Sequence, residues 1–104
     1  SILDQTTKKQ LGLLVDINTE GAMIIRETPL EIGKILKLRI LLPEPIHGNH
    51  FIDIEGTSTW SEKDIHPNFY ATGFKFDQVS KETKLLIVRL MNLYGVMTMD
   101  EPPL

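Results

Sequence analysis

The chain has no cysteine among its 104 residues. Disulfide scaffolds, thiol nucleophiles and thiolate metal sites are therefore excluded. A cysteine-free domain suits a reducing compartment, and cytoplasmic residence is the expectation. Basic residues are sparse and scattered, the formal net charge being −3. No stripe of Lys and Arg exists to follow a nucleic-acid backbone, so neither DNA nor RNA is an expected partner. Long apolar runs are missing too. Ile35 to Leu42 is interrupted by Lys37 and Arg39, and a run that short does not insert into a bilayer. The opening S-I-L-D-Q-T-T-K-K lacks the architecture of a signal peptide. It starts without an initiator methionine, as a domain excised from a longer protein would.

Several chemistries lack their motifs. There is no G-x-S-x-G elbow and no serine with a base placed near it in pattern. No glycine-rich loop leads into the single helical segment, which removes P-loop and Rossmann nucleotide folds. Repeats and low-complexity tracts are absent. An enzyme is not expected, and neither is a cofactor.

What is present is one ordinary domain. Hydrophobic residues make up 41% and charged residues 24% of the chain, as in typical globular proteins. A chain of this length buries about 60–70% of its unfolded surface, enough for one core. Most of the sequence alternates with period two. Leu36, Leu38, Ile40 and Leu42 share one face while Lys37 and Arg39 take the other, which reads as a half-buried strand. Pro43 and Pro45 are expected to end it, with His47-Gly48-Asn49 as the turn. Ile52, Ile54, Gly56, Ser58 and Trp60 then alternate with Asp53, Glu55, Thr57 and Thr59. After a polar loop holding Asp64 and Pro67, Tyr70, Thr72, Phe74 and Phe76 alternate with Ala71, Gly73 and Lys75. Short strands between turn signals predict a mainly β fold, an antiparallel sandwich or small barrel. Trp60, Phe74 and Phe76 are expected in its core or at its rim.

The period changes after Ser80. Ser80 suits an N-cap, Glu82 falls in the first turn, and Leu86, Leu90, Leu93 and Met97 follow at helical spacing. A helix is predicted over 81–94, with Gly95 as its stop. Its apolar stripe is broad, because Leu85, Ile87, Val88, Met91 and Tyr94 lie alongside. Such a stripe packs on its own barrel or joins a partner protein. The domain is drawn over residues 1–95, with 96–104 as a loose tail.

Two stretches compete as sites. His47 and His50 form H-x-x-H in an irregular segment, with Asp53, Asp64 and His66 elsewhere. Zinc needs a third or fourth ligand converging on such a pair, which this spacing does not fix, so no metal is expected. The other stretch is D-I-N-T-E-G at 16–21, between the apolar runs L-G-L-L-V and A-M-I-I. As a turn it is ordinary: Asp and Asn bond nearby backbone N–H groups, and Gly supplies a positive φ. As a site it has its own logic. An acceptor-only carboxylate matches the adjacent N1–H and N2–H₂ donors of a guanine edge. The amide can hold the loop in shape, and glycine lets a flat ligand approach the backbone.

Landmarks along the whole chain bear on the choice. Asp16, Asn18 and Gly21 follow a strand directly. L-R-I-L-L-P occupies 38–43, T-S-T-W ends at Trp60, Y-A-T-G-F-K-F fills 70–76, and the helix comes last. In this the chain resembles the PilZ family of cyclic di-GMP receptor domains, whose second signature is (D/N)-x-(S/A)-x-x-G. The resemblance implies a small antiparallel β-barrel of the split-barrel type with a C-terminal helix, and no catalytic activity. It implies cyclic di-GMP as ligand, in bacterial second-messenger signalling. Asp16 would accept hydrogen bonds from guanine, Asn18 would order the loop, and Gly21 would allow the turn and close approach. Ligand binding would order an arm over the barrel, and a downstream protein would read the ordered surface.

The chain departs from the family pattern twice. Asn18 stands where Ser or Ala is usual. The first signature, R-x-x-x-R, is missing: residues 1–10 hold Lys8 and Lys9 but no arginine, and Arg26, Arg39 and Arg89 are misplaced for it. On one reading, Ile2–Asp4 ends the first strand, Q-T-T-K-K-Q is the hairpin, and the arginine arm lies upstream of Ser1. On the other, this is a diverged domain that binds no nucleotide and contacts proteins. For the histidine loop the expected outcome is simple: neither zinc nor a chelator changes the melting temperature. A zinc-dependent rise abolished by His47→Ala with His50→Ala would establish a metal site instead.

Overall fold

The computed structural model describes residues 1–94. Gly95, Met97 and the tail expected over 96–104 lie outside the described residues. The elements are β1 (Ile2–Asp4), β2 (Gln10–Ile17), β3 (Gly21–Arg26), β4 (Ile35–Ile46), β5 (Asn49–Lys63), β6 (Tyr70–Phe76) and α1 (Lys81–Tyr94). The six strands close into a barrel in the order β1-β2-β3-β6-β5-β4. Every neighbouring pair is antiparallel.

Period-two alternation builds the core, as the sequence predicts. Leu36, Leu38 and Ile40 of β4 face inward with Ile52 and Ile54 of β5, Ile24 of β3 and Phe74 and Phe76 of β6. Full burial of each such side chain contributes about 1.5–3 kcal/mol. Outside, Arg39 sits opposite Asp53 in register. Its Nε and Nη2 donate to the two carboxylate oxygens at 2.8 and 2.9 Å, and its guanidinium lies 4.0 Å from the Phe51 ring centroid. Hydrogen bonding to Asp53 raises the Arg39 pKa further above its ordinary value.

The turns follow local chemistry. Asp4 Oδ1 accepts the backbone N–H groups of Thr6 and Thr7 at 2.8 and 3.4 Å, which bends Gln5–Lys9 into the first hairpin. His47 and Gly48 both take positive φ, 49° and 78°, so Ile46 and Asn49 pair across a two-residue loop. Positive φ at both positions matches the twist of a hairpin.

Three expectations are corrected. Pro43 and Pro45 do not end β4, which runs on to a buried Ile46. Between the pairs Leu41↔Phe51 and Ile46↔Asn49, residues 42–45 of β4 stand opposite His50 alone. Prolines have no N–H to give a ladder, and a bulged stretch asks for none. Second, Trp60 does not share the inward face of Ser58. The register slips between Ser58↔Phe74 and Trp60↔Gly73. Thr59 is the extra residue, so the phase reverses and Trp60 points outward.

The third correction concerns α1. Ser80 caps it as predicted, its Oγ accepting the Thr83 N–H at 3.1 Å. The buried stripe, however, centres on Ile87 and Leu90, with Leu86, Met91 and Tyr94 packed beside them. Leu93 lies on the outer side at 52% exposure, with Leu85 at 64% and Val88 at 42%. Residues 87, 90, 91 and 94 repeat by three and four and so hold one face toward β4 and β5, while 93 falls on its flank. Replacing Leu90 with Asp is expected to unfold the domain. An unpaired buried carboxylate costs several kcal/mol against a total stability of about 5–15 kcal/mol. The matched change Leu93→Asp should keep a cooperative melt near the parent temperature, as followed by circular dichroism.

Candidate ligand-binding site

The D-I-N-T-E-G segment joins β2 to β3 as a tight, internally bonded loop. Asn18 Oδ1 accepts the backbone N–H groups of Glu20 and Gly21 at 2.8 and 3.0 Å. The Asn18 N–H donates to the Gly21 carbonyl at 2.9 Å, and the Phe76 N–H donates to the Glu20 carbonyl at 2.8 Å. The amide oxygen is thus committed to the loop, and the loop is tied to β6. Asn18 orders the turn, as expected from its residue type.

Gly21 is needed for a different reason from the one the sequence suggests. Among the described glycines only Gly33 and Gly48 have positive φ, so Gly21 supplies no left-handed turn. A Cβ built on Gly21 would instead fall 2.3 Å from the Phe74 carbonyl oxygen. The close approach is to a neighbouring strand.

Asp16 reaches the outer surface through a second bulge. The pairs Leu14↔Ile24 and Asp16↔Met23 bracket Val15 as the extra residue of β2. With unbroken alternation Asp16 would share the inward face of Leu14. The bulge turns it out. Across the sheet, Asp16 pairs with Met23, Met23 with Gly73, and Gly73 with Trp60. One continuous row therefore runs over four neighbouring strands on the outer face. Trp60 folds back along this row. A Cβ on Gly73 would lie 2.1 Å from the indole Nε1, so only glycine lets the indole rest on β6.

The result is a shallow cleft of about 300 Å³ bordered by Asp16, Asn18, Met23, Trp60, Gly73 and Lys75. Asp16, Asn18 and Gly21, the residues singled out from sequence, come together at its edge. The indole of Trp60, the Met23 side chain and the Lys75 ammonium are additions that the sequence reading missed. Lys75 follows Gly73 by two residues on the outward face of β6, so period two alone would have placed it. Nothing in the composition announces the Thr59 bulge that delivers Trp60.

The cleft offers an acceptor-only carboxylate, an aromatic face and a thioether floor. Its charges are Asp16 and Glu20 against Lys75, so its lining carries a net negative charge. A larger cleft of about 790 Å³ lies near the start of α1, bordered by Asp53, Glu55 and Asp77 with no cation among its lining residues. Among the described residues no three His, Asp or Glu side chains gather where a metal ion could be held. No helix among them is long and apolar enough to cross a membrane.

Comparison with known proteins addresses the whole architecture. Among solved structures, the inhibitor of motility (MotI/DgrA) of Bacillus subtilis superimposes with a TM-score of 0.57 at 17% identity. The match covers 71% of this chain and 36% of that one, so this chain spans little more than a third of that protein. At that identity the likeness shows the fold. No curated protein sequence matches the chain. The family model described as the PilZ domain matches residues 2–93. The match takes in the barrel, nearly all of α1 and the D-x-N-x-x-G loop, and the chain belongs to the PilZ domain family.

Proposed function

We propose that this domain is a non-catalytic receptor for cyclic di-GMP, acting in the bacterial cytoplasm as an adaptor between the second messenger and a protein partner. The observation that carries this reading is the outer-face row from Asp16 to Trp60. A guanine laid over Met23 and Gly73 would present its N1–H and N2–H₂ edge to the Asp16 carboxylate and its ring to the indole. Stacking of a base on an aromatic side chain contributes about 1–3 kcal/mol. Hydrogen bonds to a carboxylate contribute about 1.5–3 kcal/mol each. Asn18 acts mainly by holding the loop, and its Nδ2, unbonded within the described residues, is free for the ligand.

The phosphates need more positive charge than Lys75 provides. The strand directions indicate where it would come from. β1 runs antiparallel to β2, with Ile2 opposite Gly12. Chain leading into Ile2 therefore arrives from the end of the barrel at which β2 delivers Asp16. Arginines carried upstream of Ser1 would reach the cleft from that side, clamp phosphate oxygens and stack on guanine. Binding would then order the arm, and the ordered surface would be what a partner recognises.

A second reading has one observation in its favour. Leu85, Val88 and Leu93 are exposed apolar residues of α1, which a diverged, nucleotide-free interaction module could use. Calorimetry with cyclic di-GMP separates the two. Two arginines contribute about 4 kcal/mol together, roughly a thousandfold in dissociation constant. The 104-residue chain is therefore expected to bind weakly or undetectably. Extension upstream by about 10–20 residues, roughly 30–60 Å of extended chain, should restore binding. In that longer protein Asp16→Ala should abolish most of the affinity, and Trp60→Ala should reduce it by about tenfold or more. Tight binding by the short chain would show that the phosphate clamp lies within it. No binding by the extended chain would leave the interaction module standing.

A further inference from the structure

Arg26 has two side-chain nitrogens that nothing in the barrel accounts for. Its Nε and Nη1 are shielded from solvent and make no hydrogen bond, and they are the only such side-chain atoms among the described residues. Nη2 donates to Thr28 Oγ1 at 3.2 Å. Among the described residues no carboxylate pairs with the group, whose pKa is lowered by desolvation. Covered donors without an acceptor are costly, and water, an ion or a bound group satisfies them.

Arg26 also lines an open cavity of about 530 Å³, together with Leu11, Leu13, Ile25 and Phe69 and the polar Gln10 and Thr28. That volume and that mixture of apolar walls with a few polar groups are those of small-ligand sites, which span about 300–1,000 Å³. The cavity is remote from the Asp16 cleft. β3 begins at Gly21, beside the cleft, and ends at Arg26, a separation of roughly 16 Å at about 3.3 Å per residue. Glu27 also borders the cavity. A nearby carboxylate disfavours dianions such as phosphate more than singly charged groups.

We propose that this cavity is a second binding site, for a small monocarboxylate with an apolar body, with the Arg26 guanidinium as its anion partner. The carboxylate would take the donors that are unpaired now, and the hydrocarbon would lie against Leu11, Leu13 and Phe69. Because Nε and Nη1 are covered, binding includes a rotation of the Arg26 head into the cavity. The site does not depend on the reading of the Asp16 cleft.

Nuclear magnetic resonance on the ¹⁵N-labelled chain tests this with hexanoate, its neutral isostere hexanamide, and inorganic phosphate. Hexanoate is expected to shift the Arg26 Nε–H resonance and the amides of Leu11, Leu13, Ile25 and Thr28 saturably. Hexanamide and phosphate should each bind at least about tenfold more weakly, since a charge-assisted bidentate contact is lost or opposed. Asp16→Ala should leave the hexanoate response intact, whereas Arg26→Met should remove it. Ligand-free Arg26→Met should melt no lower than the parent. Equal binding of hexanoate and hexanamide would overturn the proposal in favour of a plain apolar groove. Phosphate binding as well as hexanoate would overturn it in favour of unselective anion capture. No saturable shift at Arg26 Nε would show that nothing is recognised there. A lower melting point for ligand-free Arg26→Met, together with equal binding of hexanoate and hexanamide by the parent, would assign the guanidinium a purely structural, water-bridged role. The comparison of hexanoate with hexanamide on the parent needs no variant, so a folding failure in Arg26→Met leaves the test decisive.

Discussion

In a closed antiparallel barrel each strand residue faces in or out, and only a bulge changes the phase. The candidate site depends on that constraint. Val15 in β2 and Thr59 in β5 are each one residue too many. Without the first, Asp16 would share the interior face of Leu14, where an unpaired carboxylate would oppose folding. Without the second, Trp60 would share the interior face of Ser58. The two irregularities place a carboxylate and an indole outside, at the ends of one register row. Met23 and the bare backbone of Gly73 lie between them.

How much of this was legible follows from the same constraint. Alternation located the inward faces of β4, β5 and β6, and the change of period located α1, because burial imposes those patterns directly. The hairpins at Gln5–Lys9 and at His47-Gly48 were legible from turn chemistry. The bulges were not, because an inserted residue leaves no compositional mark, and alternation alone therefore places Trp60 in the core or at the rim. Pro43 and Pro45 misled for a related reason. Proline forbids a ladder bond, yet a strand can continue through a stretch that forms none. For α1 the end residues were legible, but the centre of its broad stripe was not. Which third of an apolar helix faces the barrel is settled by packing against β4 and β5, and Ile87 rather than Leu93 took that place.

Glycine shows a further limit of reading by residue type. Gly21 and Gly73 both lie where a side chain would collide, one with the Phe74 carbonyl and the other with the indole of Trp60. Neither contact is local in sequence, so the usual inference from glycine to a left-handed turn fails for Gly21. The loop nevertheless brings Asp16, Asn18 and Gly21 together at one cleft. The physical reasons for the Asn and the Gly are the loop's own hydrogen bonds and its seat against β6.

Those bonds make a turn at D-I-N-T-E-G compatible with the site proposed there. Asn18 Oδ1 closes the turn onto two backbone N–H groups, and the Glu20 carbonyl fixes it to Phe76. A loop held from both sides keeps the neighbouring Asp16 carboxylate in place before any ligand arrives, so less ordering entropy is lost on binding. Asn18 fills this role through its amide oxygen, which accepts both backbone N–H groups. On the proposed reading the turn is the means by which the carboxylate would be presented. The cleft carries little positive charge, so on that reading the division of labour is spatial. The barrel would offer a rigid face to guanine, and cations arriving along the direction of β1 would meet the phosphates.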